Sequence, residues 1–339
     1  MLSLFLLRKL TQNHSKQAAY RPSLHFAERI IMNFKEFEEN TVKYLKEEYE
    51  GEADIAVKDV IKNNGIILRG ITVCFNGVNI SPTVYLNDLY RDYERGESFE
   101  SVCATLKTMI DDAAVRDDVD ISFIKSYEEM KGRVLCKLIN TKKNTDYLET
   151  VPHVDFLDLS VVFYTIVSDN AFGSGTIVVT NDYFNTWNIS LDTLFEDAKE
   201  NTRNLLGGNI TYIEDVIISL LNERRNVCGD YGLEDLFKEC EDSSKLPMYV
   251  LTNRVKTLGA SCILDNEKLY DFSEELDSDL FILPCSVHET ILLPVNMGYD
   301  PEVLSDMVRE INDSEVSKTD YLSDSVYKFS RFSGNVELA

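Results

Sequence analysis

Outside its first 31 residues the chain has two histidines, His153 and His288, so any chemistry that needs an imidazole base must use one of them. His288 lies in LPCSVHETILLP, three residues after Cys285. A thiolate beside an imidazole is the logic of a cysteine nucleophile, and a turn would expose it. A C-x-x-H spacing alone is weak, because such pairs are usually assembled from distant segments. The same stretch also reads as a turn holding a half-buried cysteine and a strand-edge histidine bonded to backbone. His153 opens H-x-D-x-x-D with Asp155 and Asp158. In a strand the first two share a face and Asp158 points away, which makes a poor metal cage. The carboxylates there suit capping and orienting the chain as it enters a sheet. A third group, Tyr85, Tyr90 and Tyr93 with Asp88, Arg91 and Asp92, has the composition of a binding groove. Tyrosines more often bury the ring and wet the hydroxyl, so packing is its default reading. Trp187, the single tryptophan, precedes a helix cap and is expected to fix that helix to the core.

Several chemistries lack their signatures. There is no G-x-x-x-x-G-K-[ST], no G-x-G-x-x-G after a strand, no H-E-x-x-H and no G-x-S-x-G. No cofactor is therefore implied. Seven scattered cysteines without a C-x-x-C pair argue against a disulfide framework or structural zinc and fit a reducing cytoplasm. The 339 residues carry 58 acidic and 34 basic side chains, a net charge of −24 that repels phosphate backbones. No direct nucleic-acid binding is expected, and no apolar run is long enough to span a membrane. The acid is clustered, as in Asp111, Asp112, Asp117, Asp118 and Asp120 with only Arg116, and again from Asp265 to Asp279. Such clusters serve as solvated faces, or as a surface for a basic protein partner. Imitation of DNA would need regular carboxylate rows with few cations, and 34 basic residues oppose it.

The elements that must position these groups read as follows. Phe34, Phe37, Val42 and Leu45 predict a helix over 34–48. Ile-, Val- and Thr-rich segments 54–61, 66–75 and 80–86 predict a three-stranded meander turned at Asn64-Gly65 and Asn76-Gly77. Pro82 puts the third strand at an edge. Ser98 caps a helix with Val102, Leu106, Met109, Ile110 and Ala113 on its apolar face. Further strands are predicted at 133–139, 157–167, 175–180, 248–252, 260–264, 279–283 and 288–294. Helices are predicted from Ser190, from Ile213, over 266–276 and over 301–311, with a polar connection near 225–245. The fold class is α+β: an antiparallel β-meander with helices, followed by mixed strand–helix units. The expected divisions are residues 32–130 and 131–335.

Residues 1–31 carry Arg8, Lys9, Lys16, Arg21 and Arg29 against Glu28, a net of +4, so the remainder holds −28. Basic residues follow the apolar MLSLFLL instead of preceding it, the wrong order for a signal peptide. Met32 is the expected start, with 1–31 an upstream or loose tail.

Collinear stretches of the chain resemble the bacterial domain-of-unknown-function family 5688 over about residues 32–330. They include MNFKEF at 32–37, SPTVYLNDLYRDYERG at 81–96, VLCKLINTKKN at 134–144, VPHVDFLDLSVVFY at 151–164, TNDYFNTWNIS at 180–190 and LPCSVHETILLP at 283–294. The resemblance implies no activity, substrate or cofactor. It does imply that His288 and Glu289 are a more regular part of their motif than Cys285, which members often replace with Ser. A site, if the family has one, is then expected at His288 and Glu289, with His153 and Asp158 as its second segment. Two functions compete: a soluble cytoplasmic binding or interaction module without chemistry of its own, and a small-molecule enzyme or ligand binder built on those four residues.

Overall fold

The structure is a computed structural model, and it describes residues 31–78, 81–114, 122–170, 173–228, 247–284 and 286–339. Cys285, Cys240, most of the 225–245 connection and the 1–30 segment lie outside the described residues, as do Arg116, Asp117, Asp118 and Asp120. The described chain divides into two units. One holds residues up to 124 together with 166–177, and the other holds 125–165 and 178–339.

The first unit starts with α1 (Phe34–Glu48), where Asn33 and Glu36 exchange side-chain bonds in a capping box. β1 (Ala53–Ile61), β2 (Ile67–Phe75) and β3 (Thr83–Tyr85) form the antiparallel meander in the order β1-β2-β3, with β3 at an edge. Asn64 (φ 62°) and Gly65 (φ 67°) turn the first hairpin in the left-handed region that Asn-Gly tolerates. A helix that the hydrophobic pattern did not predict follows, α2 (Leu86–Glu94), because only Leu86, Leu89 and Tyr93 face inward along its nine residues. α3 (Phe99–Ala113) is capped by Ser98 and buries Val102, Cys103, Leu106 and Ile110. Met109, expected inside, is 47 % exposed, since Leu106 and Ile110 already fill the inward stripe. Phe37 centres the core, with its ring 5.3 Å from Tyr90 and 5.5 Å from Tyr93. The two hydroxyls hold the Met32 backbone: Tyr93 Oη accepts its N–H at 3.2 Å, and Tyr90 donates to its carbonyl at 3.0 Å. Tyr90 and Tyr93 thus pack their rings on Phe37 and fix the Met32 backbone, while Tyr85 meets Lys62.

The second unit holds α4 (Tyr127–Met130), β4 (Val134–Asn140), α5 (Thr145–Leu148), β5 (His153–Phe156) and the start of β6 (Leu159–Asn170). β6 lies between β4 and β5, antiparallel to both, and also pairs with β7 (Gly173–Val178). The strand expected over 157–167 therefore begins two residues late, because Leu157 (φ 58°) and Asp158 make a hairpin turn. α6 (Asn181–Trp187) and α7 (Leu191–Asn201) follow, capped by Thr180 and Ser190. Trp187 packs at 5.5 Å from the Tyr127 ring. A wide helical turn, Thr202–Leu206, ends α7 and leads to β8 (Gly208–Tyr212) and α8 (Ile213–Cys228).

β9 (Tyr249–Asn253) comes next, and then Gly259–Leu264 is a 3-10 helix where a strand was predicted over 260–264. Packing decides this: a Cβ at Gly259 would lie 2.2 Å from Thr252 Oγ1 and 2.6 Å from the His288 carbonyl. The chain presses against β9 there and has no free edge along which to extend. α9 (Asn266–Glu275), β10 (Leu280–Leu283), β11 (Thr290–Pro294), α10 (Pro301–Ser314), β12 (Tyr327–Ser330) and β13 (Asn335–Leu338) complete the chain. The large sheet runs β13-β12-β10-β11-β9-β8, antiparallel throughout. Ile291 and Leu293 on one of its faces join Ile213, Ile217, Leu304, Val308 and Ile311 from α8 and α10. Leu280, Ile282, Leu292, Tyr327 and Phe329 alternate to the other face and are also buried. Burial on both faces explains why LFIL and TILLP are continuous apolar runs. Among the described residues no helix is long and apolar enough to cross a membrane.

Candidate functional site

The four residues singled out by sequence are each held by different partners. His153, at the start of β5, places Nδ1 3.1 Å from the Val151 carbonyl, a local bond that suits the Nδ1–H tautomer. Asp158, in the β5–β6 turn, accepts hydrogen bonds from Ser323 Oγ at 2.6 Å, Ser325 Oγ at 3.1 Å and the Tyr327 hydroxyl. Tyr327 is fully buried, and burial together with the Asp158 charge drives its phenol far above the ordinary range. The turn is thereby pinned to the segment leading into β12.

His288 lies in the bend before β11. Its Nδ1 accepts the Leu258 N–H at 3.2 Å, and its Nε2 is 3.5 Å from Asp320 Oδ1. The contact with His288 holds the Asp320 carboxyl below its usual range against the opposing effect of burial, helped by the hydroxyls of Ser317 and Thr319. Burial pushes the neighbouring Glu289 carboxyl up, while His288 and Lys256 pull it down. His288 and Asp158 both attach to the segment 320–327: Asp320 meets His288, Tyr321 bridges Ser286, and Ser323, Ser325 and Tyr327 hold Asp158. None of the four candidates hydrogen-bonds to another. Among the described residues no three His, Cys, Asp or Glu side chains are placed to hold a metal ion.

A different feature of this unit has room for a ligand. A cleft of about 470 Å³ lies between α7 with its terminal turn and the 259–267 segment, and none of the four residues lines it. Its floor carries two buried thiols, Cys136 from β4 and Cys262 from the 3-10 helix. Cys136 is fixed by Thr202, whose Oγ1 accepts the Cys136 N–H at 3.0 Å, lies 3.4 Å from the sulfur and donates to the Ala198 carbonyl at 2.7 Å. Burial pushes the Cys136 thiol up to about 11 and the Cys262 thiol up to about 12, so both are protonated and unreactive near neutrality.

The rim carries five carboxylates, Glu196, Asp197, Glu200, Asp265 and Glu267, against Lys199 and Arg203. Both cations are already engaged, Arg203 with Glu267 at 2.7 Å and Lys199 with Glu196 at 3.1 Å. Asp197 accepts the Tyr127 hydroxyl at 2.6 Å, and Asp265 caps α9 through the Lys268 N–H at 3.2 Å. Glu200 has no ion pair among the described residues. The acid run from Asp265 was the sequence signal for one wall, and reading 260–264 as a strand concealed the rest.

Fold and site together define an α+β protein with an acid-rimmed cleft over two buried thiols. Over residues 34–331 the chain matches the model of a family of unknown function, DUF5688, and it belongs to that family. No curated protein and no solved structure matches it.

Proposed function

We propose that this protein is a binding module without chemistry of its own, that it works in the cytoplasm, and that it engages a basic protein partner through the cleft beside α7. The observation that carries this reading is the surplus of carboxylates on the cleft rim, where both cations are already paired. A lysine- or arginine-rich segment would meet uncompensated negative charge there, while its aliphatic stems would lie over the thiol floor. Cys74, Cys103, Cys136 and Cys262 are free thiols, in keeping with a reducing compartment.

The test is titration with a labelled oligolysine peptide, comparing the parent with Glu200→Lys/Glu267→Lys. Glu39→Lys/Glu47→Lys, on α1 of the other unit and outside the cleft lining, serves as the charge-matched control. Loss of about 10-fold in affinity for the cleft variant alone, weakening as salt rises, supports the reading. Equal loss in both variants means only a diffuse polyanion, and the reading fails. The competing small-molecule site at His288 and Glu289, with His153 and Asp158, is favoured by one observation: a half-buried carboxyl with a raised pKa beside an imidazole. A ligand whose binding disappears in both His288→Gln and Glu289→Gln, with the cleft variants unaffected, would select it.

A further inference from the structure

We infer that His288 is a pH-sensitive latch on one wall of the cleft, closed when its ring is neutral and loosened when it is protonated. The Leu258 amide donates to His288 Nδ1 at 3.2 Å, and only an unprotonated Nδ1 has the lone pair to accept it. The neutral ring therefore carries its proton on Nε2, on the side of Asp320. Leu258 is in the left-handed region at φ 55°, and Lys256 two residues earlier is there at φ 54°. Side chains other than glycine are disfavoured in that region, so the turn is strained and depends on the bonds that hold it.

What the bond holds is the cleft wall. Leu258 leads directly into the 3-10 helix Gly259–Leu264, which presents Ser261, Cys262 and Leu264 to the cleft. Ser261 Oγ also donates to the Leu258 carbonyl at 3.0 Å. A proton added at Nδ1 would face the Leu258 N–H donor to donor, and that amide would lose its acceptor. The charged groups near the ring are Asp320, 3.5 Å from Nε2, Glu289 next to it in the chain, and Lys256 on the strained turn. The Ala260 N–H remains on the Val287 carbonyl at 3.2 Å, so acidification loosens the wall without detaching it. The latch bears on regulation only if the cleft is the working site, as proposed above.

Amide hydrogen exchange of Leu258 and the 259–264 segment, corrected for the intrinsic rate, tests the latch without any ligand. Between about pH 8 and 5 the parent should lose protection about 10-fold in this segment as imidazole protonates. His288→Gln, which keeps an acceptor and does not titrate, should show no such pH dependence. Constant protection in the parent, or the same loss in His288→Gln, overturns the latch. The oligolysine titration at neutral pH fails or succeeds independently of this result, so loss of the cleft reading and loss of the latch are distinguishable.

Discussion

The Asp158 turn and the cleft beside α7 both gather carboxylates at the surface of the same unit, yet they treat them differently. Around Asp158, three hydroxyls from a segment 165 to 169 residues away converge on one carboxylate. Three of its acceptor positions are committed to joining two parts of the chain. On the cleft rim, five carboxylates share two cations and border open space. A carboxylate bonded to three hydroxyls of a remote segment is a structural joint, whereas carboxylates in surplus beside a cavity hold binding capacity in reserve. His288 falls between these cases. Its ring is engaged at both nitrogens, and one of those bonds depends on protonation.

Substitutions should separate the two kinds of site by size of effect. The largest is expected from Gly259→Ala, which would force a Cβ against Thr252 Oγ1 and the backbone of His288 and Asn253. Urea denaturation should show a loss of about 3 kcal/mol or more. Asp158→Ala should cost about 3 kcal/mol in the same measurement, since it leaves the buried Tyr327 hydroxyl without its acceptor. Tyr327→Phe keeps the two serine bonds and should cost about 1 kcal/mol. The double variant should fall short of the sum, because both changes remove one shared interaction. Glu200→Gln on the rim should change stability by less than about 0.5 kcal/mol. If it costs as much as Asp158→Ala, the contrast between joint and reserve is wrong.

The pH dependence supplies a finer comparison at His288. The folded-state pKa of Asp320 is lowered, so its stabilising contribution is present above the ordinary carboxyl range and lost as pH falls through the lowered value. Glu289 has the opposite sign: its raised pKa gives a contribution that is full in acid and lost as pH rises through the raised value. Asp320→Asn should therefore lower the melting temperature near neutrality, with the deficit shrinking in acid. Glu289→Gln should raise it slightly at about pH 7 and leave it unchanged at about pH 4. A Glu289→Gln variant less stable at neutral pH would show that the carboxylate is held by its neighbours and not merely tolerated.

Much of the fold was legible wherever one local rule dominated. Asn33–Glu48, Ser98–Ala113 and Asp300–Ser314 have polar caps followed by inward residues at helical spacing, and all three are helices. Asn64-Gly65 turned its hairpin because that dipeptide accepts positive φ. The short helices Leu86–Glu94 and Asn181–Trp187 were missed because two turns give too few inward residues for a period to emerge. β12 and β13 were missed because YKFS and NVEL are short and owe their pairing to each other and to β10.

The candidate site was less legible. Sequence pointed to His153, Asp158, His288 and Glu289, none of which lines the cleft, and of the cleft itself it marked only the acid run beginning at Asp265. The sequence by itself determined the α+β class, the meander, the strong acidity and the lack of familiar catalytic motifs, because these follow from composition and from spacings of a few residues. Only the tertiary structure decided that Gly259–Leu264 is helical, that Asp158 serves Tyr327 and that Cys136 and Cys262 line one cleft under a rim of carboxylates. Each of those depends on contacts between segments tens to more than a hundred residues apart, where packing and hydrogen-bond partners override local preference.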